Sequence, residues 1–259
     1  MTTPIARVAL VTGAARGIGR AIATSLARAG FDVALVGLES GAEAIPALAD
    51  VREAGRRAHY LRHDIADLAS HARVVDEIMT VLGPVDCLVN NAGVTSLVRG
   101  DMLDLTPESF DRSVGVNLRG TFFLTQAVAR AMITRGTGAG AYRSIVTITS
   151  ANAELLGENR ADYCMTKAAL SMASKLFAAR LARAGIHVFE IRPGIIRTDM
   201  TAPATAKYDR LIADGGVPIA RWGEADDVGR TVATIALGGL PFATGEVLNV
   251  GGGLHLHRL

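Results

Sequence analysis

Tyr163 and Lys167 stand four residues apart in the stretch ADYCMTKAAL. On a helix that spacing puts both side chains on one face. Free tyrosine titrates near about 10, and an ammonium beside it stabilises the phenolate and lowers that value toward working pH. Reduction of a carbonyl needs such a group, because the carbon takes a hydride while the oxygen takes a proton. Taken alone, the pair equally describes a half-buried ring next to a solvated amine. Ser150 lies thirteen residues before Tyr163, where the fifth β-branched run ends, and its hydroxyl is placed to polarise a substrate carbonyl. The nearby hydroxyls of Thr147 and Thr149 are assigned by strand alternation to strand formation.

A second constellation opens the chain. A β-branched run leads into Thr12-Gly13-Ala14-Ala15-Arg16-Gly17-Ile18-Gly19, and a helical pattern begins at once. Glycines allow a tight turn and a close approach of backbone to a pyrophosphate, whose charge meets free amides at a helix start. The glycine spacing differs from the general G-x-G-x-x-G fingerprint, so by itself the stretch also fits a plain strand-to-helix turn.

Elements that would hold these residues follow from the alternation of short β-branched runs with longer helical ones. Strands are expected at residues 7–12, 32–37, 58–63, 85–90, 143–150, 187–192 and 246–250, with helices from about Ile18, Ala42, Leu68, Pro107, Ala161 and Ala225. Crossover helices of that length return each strand parallel to the last, which predicts a single-domain α/β fold over residues 1–259, a doubly wound seven-stranded parallel sheet of Rossmann type. VDCLVNN and HVFEIR read as nearly apolar throughout, as strands covered on both faces do. Gly136, Gly138 and Gly140 mark a surface loop before the fifth strand. The substrate wall is expected from irregular segments at 95–98, 151–156 and 200–222, within a substrate loop spanning about 195–222.

Together the TGxxxGxG spacing, Asn90-Asn91-Ala92-Gly93 after the fourth strand and Tyr163-x-x-x-Lys167 resemble the short-chain dehydrogenase/reductase family, and the likeness runs through Asn117, Ser150, Pro193-Gly194, Ile196, Thr198 and Thr244-Gly245. Among its members the chain is most similar to bacterial 3-oxoacyl-(acyl-carrier-protein) reductases. The resemblance implies NAD(P)-dependent hydride transfer between a nicotinamide cofactor and a carbonyl or alcohol, with Asn117, Ser150, Tyr163 and Lys167 as catalytic residues. It gives Lys167 a second role on the nicotinamide ribose and Asn117 a water in a proton relay. Cofactor contacts are expected from Gly13, Arg16, Gly17, Ile18, Gly19, Asp64, Ile65, Asn91, Ala92, Gly93, Tyr163, Lys167, Pro193, Gly194, Ile196 and Thr198. Gly251 departs from the pattern, since many relatives carry Asp there.

Composition narrows the alternatives. The formal charge is +2 and the arginines are scattered, which argues against nucleic acid as a partner. No apolar stretch reaches bilayer length, and the N-terminus lacks the features of a signal peptide, so a cytoplasmic protein without membrane contact is expected. Cys87 and Cys164 read as small buried hydrophobes. No metal is expected, because the six histidines lack ligand spacing, His255 and His257 included. Three functions remain open: reduction of a 3-oxoacyl thioester, dehydrogenation of a sugar, polyol or cyclic alcohol, and non-catalytic dinucleotide sensing. Asn152 and Glu154 would favour a polyol if they bind substrate hydroxyls.

The second strand ends at Gly37 with Leu38 after it, where NAD enzymes place a carboxylate, and Arg16 is available to a 2′-phosphate. NADP(H) is therefore expected to be preferred and NAD(H) to be possible, with Glu39 as the opposing residue. Arg130, Arg135, Arg180 and Arg183 either form a basic surface for an acyl carrier protein or a solvated helix face. Helices near 110–133 and 163–183 are apolar on more than one face, which with the resemblance predicts a homotetramer.

Overall fold

The β-branched runs become seven strands in the computed structural model, which describes residues 6–136 and 142–256. They are β1 (Arg7–Thr12), β2 (Phe31–Gly37), β3 (Ala58–Arg62), β4 (Val85–Asn90), β5 (Arg143–Ile148), β6 (Ile186–Pro193) and β7 (Val247–Val250). They form one sheet in the order β3-β2-β1-β4-β5-β6-β7, with every neighbouring pair parallel. Gly138, Gly140 and His257 lie outside the described residues.

Both faces of the sheet are covered, and strand alternation divides the core in two. Ala9 and Val11 of β1 pack with Ile22 and Leu26 of α1 (Gly17–Arg28) and with Val228 and Val232 of α8 (Ala225–Ala236). Val8 and Leu10 face Ile78 of α3 (His71–Val81), Val128 of α5 (Thr121–Thr134) and Leu181 of α6 (Ala161–Leu181). The order reverses between β1 and β4, and a crevice opens beyond their carboxyl ends at such a switch point. At the opposite end, the buried Asp86 carboxylate accepts hydrogen bonds from the Val8 amide at 2.9 Å and from Arg135 Nη1 at 2.7 Å, which staples β4 to β1 and to the end of α5. Arg135 is thereby removed from any free basic surface.

Two segments differ from the sequence expectation. The helical pattern from Pro107 is not one α-helix: α4 (Pro107–Ser113) widens into a π-helical turn, Val114–Gly120, before α5. The stretch expected to be irregular before Trp222 contains an amphipathic helix, α7 (Thr205–Ala213). Trp222 Nε1 donates to Asp209 Oδ1 at 2.7 Å, and Tyr208 packs edge-on against the indole, so α7 is anchored to the loop that follows it. Cys87 is buried, and burial pushes its thiol up to about 12; Cys164 is only half-buried. The remaining helix, α2 (Gly41–Glu53), begins with a capping box between Ser40 and Glu43.

Candidate active site

The glycine turn takes its shape from backbone contact. Gly13 has a positive φ of 62°, and a Cβ on Gly19 would lie 2.0 Å from the Gly13 carbonyl oxygen and 2.5 Å from Asn91 Nδ2. Only glycine fits such an approach. Asn91 Nδ2 donates to the carbonyls of Thr12 and Gly13, at 2.9 and 3.0 Å, while Thr12 Oγ1 accepts from the amides of Asn91 and Ala92. The Asn91 side chain is thus committed to holding the turn, and the Ala92 amide is tied to Thr12 Oγ1 at 3.0 Å. No side chain caps the start of α1 among the described residues. Its first amides remain available to an anion. Thr198 closes over the turn, its Cγ2 being 3.7 Å from where a Gly17 Cβ would lie.

This cradle suits a dinucleotide pyrophosphate, since any side chain larger than hydrogen at Gly19 would fill it. Ile18, half-buried, packs against the core, and the side chains of Ile65 and Ile196 are buried. Asp64 is exposed and accepts a hydrogen bond from the Ala66 amide. Pro193 ends β6 and Gly194 abuts Gly251: a Cβ on Gly194 would meet Gly251 Cα at 2.6 Å. The reverse contact, a Cβ at Gly251 against Gly194 Cα, is 3.1 Å, so a residue such as Asp there would push the two backbones slightly apart.

Ser150, Tyr163 and Lys167 converge at the end of β5. Ser150 starts a short 3-10 turn, Ala151–Ala153, and its Oγ accepts from the Asn152 amide at 3.1 Å. Tyr163 sits in the first turn of α6. Burial pushes its hydroxyl above the usual range, against hydrogen bonding to Ser150 and the nearby Arg160 charge, which pull it down. The expectation that Lys167 lowers the tyrosine is not met here. The Lys167 ammonium donates instead to the Ile148 carbonyl at 3.0 Å, with Nζ 5.6 Å from the Tyr163 ring centre, and burial pulls the lysine down to about 8. Asn117 lies in the π-helical turn with no exposed surface; its Nδ2 donates to Val94 O and Thr166 Oγ1, and its Oδ1 accepts from the Val94 amide at 2.7 Å. Thr166 is the residue before Lys167, so Asn117 links the widened helix to the lysine's own turn. Gly93 keeps that junction open, since a Cβ there would lie 3.2 Å from Asn117 Oδ1 and 3.6 Å from Lys167 Nζ.

Sequence reading missed Asp162. It is fully buried, accepts from Ser109 Oγ and Ser113 Oγ at 2.8 Å each, contacts Ser96, and receives the Tyr163 amide at 2.8 Å. These donors outweigh desolvation and hold the carboxyl below its usual range. An acidic residue in a first helical turn was the available signal; its three serine partners come from distant segments and leave no local pattern. Arg16 is largely exposed, with its Nε 3.3 Å from Glu39 Oε1.

A family model described as enoyl-(acyl carrier protein) reductase matches residues 13–255. The chain is 36% identical over 251 residues to the 3-oxoacyl-[acyl-carrier-protein] reductase FabG of Escherichia coli K12, covering 96% of this chain and 98% of that protein. The crystal structure of a 3-oxoacyl-[acyl-carrier protein] reductase from Brucella melitensis in complex with NAD is similar at a TM-score of 0.95 with 46% identity, covering 99% of this chain and 100% of that one. A structure of a candidate 2-deoxy-D-gluconate 3-dehydrogenase from Agrobacterium tumefaciens with bound NADP matches at 0.83 with 32% identity, covering 96% of each chain.

Replacing Tyr163 by Phe keeps the ring and removes the hydroxyl expected to donate the proton. Turnover is expected to fall by at least about 10²-fold, with dinucleotide affinity largely unchanged. Steady-state kinetics and a cofactor titration on both proteins check this; near-normal turnover in the variant would take Tyr163 out of the chemistry.

Proposed function

The chain belongs to the short-chain dehydrogenase/reductase family, and from that premise we propose that it is an NAD(P)-dependent oxidoreductase that reduces the ketone of a 3-oxoacyl thioester. The convergence of Ser150, Tyr163 and Lys167 beside the glycine cradle carries this reading. The glycine turn, the 91–93 backbone and the 193–198 segment would hold a nicotinamide dinucleotide, which would supply the hydride. The Ser150 and Tyr163 hydroxyls lie close enough to interact, so that one ketone oxygen becoming an alcohol could meet both. Tyr163 donates its proton to that oxygen, and Lys167 offsets the phenolate charge left behind. Asn117 keeps the lysine's turn in register with the 93–94 backbone. A sensor would need none of these groups.

The rim supports an acyl chain as the substrate's other half. Val98, Leu156 and Met200 are exposed apolar side chains on the segments expected to form the substrate wall. The polar groups that would favour a polyol are engaged elsewhere: Asn152 Nδ2 donates to the Leu155 carbonyl at 2.9 Å, and Glu154 pairs with Arg192. Arg130, Arg180 and Arg183 remain exposed as a basic surface for an acidic carrier protein. A cofactor-oxidation assay over an acetoacetyl thioester, a crotonyl thioester, keto sugars and cyclic ketones decides the substrate. The acetoacetyl thioester is expected to turn over fastest; preference for a keto sugar or the crotonyl compound would overturn the assignment.

NADP(H) is the preferred cofactor in this reading, with NAD(H) accepted less well. The Glu39 carboxylate folds back over Gly37, where a Cβ would meet its Oε2 at 2.5 Å, and there it pairs with Arg16. That pair is exposed and worth no more than about 1 kcal/mol. Arg16 could leave it for a 2′-phosphate, which a guanidinium can grip with two parallel bonds. Arg16→Glu is expected to lower the NADPH-to-NADH ratio of kcat/KM by about tenfold or more. A wild type that works better with NADH, or a variant with an unchanged ratio, would refute the role of Arg16.

The assembly is a homotetramer. Phe123 on α5 and Met165, Met172 and Leu176 on α6 are exposed on the outer layer, an apolar surface that a symmetry mate would cover. Light scattering at micromolar concentration should give four chain masses; a monomer rules this out.

A further inference from the structure

A second ionic cluster lies against the catalytic lysine, made of residues no motif points to. Glu190 and Arg192 sit on β6 at 1% and 6% exposure, in a strand whose sequence reads as nearly apolar. Glu190 Oε1 accepts from Thr149 Oγ1 and from Arg192 Nε, each at 2.6 Å, and its Oε2 accepts from Ser171 Oγ at 2.6 Å. Arg192 Nη2 donates to Ser171 Oγ at 2.8 Å, and its Nη1 pairs with Glu154. Thr149, set aside as a strand former, is therefore a hydrogen-bond donor to this cluster.

Each partner adjoins a residue of the site. Thr149 precedes Ser150, Ser171 follows Lys167 by one turn of α6, Arg192 precedes Pro193-Gly194, and Glu154 belongs to the loop after Ser150. Structural need alone does not account for the cluster, because well-packed apolar residues in place of a buried ion pair are commonly as stable or more so. We propose that Glu190 is a positioning residue which, through Thr149, Ser171 and Arg192, sets the placement of Ser150, Lys167 and Pro193-Gly194, while the Arg192–Glu154 pair fixes the substrate-side loop at 151–155. The proposal rests on the catalytic reading of Ser150, Tyr163 and Lys167.

Charge gives the cluster a signature that a packing role lacks. The groups facing Lys167 are Tyr163 from its own helix and, from β6, Glu190 with Arg192 behind it, Arg192 being tied to Glu154; Asp162, also on α6, is committed to its serines. Burial pulls the lysine down to about 8, and the Glu190 charge opposes that pull. Reduction needs a protonated Tyr163 beside a charged Lys167, a state lost as pH rises through the lysine's value. Removing the carboxylate lowers that value, so the alkaline limb of the reductase profile moves to lower pH.

The experiment follows reduction of acetoacetyl-coenzyme A by wild type, Glu190→Gln, Glu190→Asp, Glu154→Gln and Tyr163→Phe, with dinucleotide affinity measured on each. Glu190→Gln is expected to lose about tenfold or more in kcat while dinucleotide affinity changes little, and to shift its alkaline limb downward by about half a pH unit; Glu190→Asp recovers part of both. A folded Glu190→Gln with wild-type kcat and an unmoved limb overturns the proposal. Should that variant not fold, the exposed end decides: Glu154→Gln is expected to raise KM for the thioester by about threefold with the dinucleotide KM unchanged, and wild-type constants overturn the proposal. Full activity in Tyr163→Phe overturns the catalytic reading itself, whereas an inactive Tyr163→Phe beside an unaffected Glu190→Gln overturns the positioning role alone.

Discussion

Lys167 carries its ammonium into the interior, 4% exposed, at the junction of α6, β5 and the turn after β4. Taking such an ion out of water costs several kcal/mol even after relaxation. Its surroundings limit that cost without cancelling it: the Ile148 carbonyl accepts one hydrogen bond, the Glu190 charge is near, and the lysine still falls to about 8. A cation in that state is mostly protonated at neutral pH yet responds to charge appearing beside it. Both features suit a group that offsets a phenolate formed and discharged on each cycle.

Space for that ammonium has to be made by the backbone. The long helical run from Pro107 widens into a π-helical turn at Val114–Gly120, and from this turn Asn117 reaches both Val94 and Thr166. Gly120 shows how tight this passage is, since a Cβ there would lie 2.5 Å from the Ile65 carbonyl. The same economy governs the cradle, where Asn91 spends its amide on the glycine turn and so couples the ends of β1 and β4 across the switch point. Cradle and catalytic groups are rigidly related because the 91–94 segment touches both.

Much of this was legible in the residues. Strands covered on both faces write themselves as continuous apolar runs, and β1 and β4 begin and end where those runs do. Tyr163, Lys167, Ser150 and the glycines stand out because, together and in order, they resemble a known family; the spacing of any one motif alone also fits a plain structural role. Other features leave no such trace. A π-helical turn differs from an α-helix by one residue, with no composition of its own, and α7 is a short amphipathic piece in a stretch rich in Thr, Ala and Pro. Nothing in the sequence singles out Glu190 and Arg192 within an apolar strand, because their partners Thr149, Ser171 and Glu154 lie 19 or more residues away. Contacts of that range are set by topology, not by local pattern.

The raised tyrosine and the lowered lysine form one electrostatic state. Desolvation disfavours whichever form is charged, so burial pushes the Tyr163 hydroxyl up and the Lys167 ammonium down together. The neutral phenol is thus the resting form at neutral pH, a donor ready to give its proton. Giving it creates an anion in a buried place, and the groups nearest to answer are the Ser150 hydroxyl and the Arg160 charge on the turn before the tyrosine, with the Lys167 ammonium farther off, 5.6 Å from the ring centre. Arg160 reaches Tyr208 of α7 with its Nη2, at 3.4 Å, while its Nε is buried without a partner among the described residues. The wall that would receive the substrate and the residue that would protonate it therefore share a cation, so movement of α7 would alter the field at the phenol.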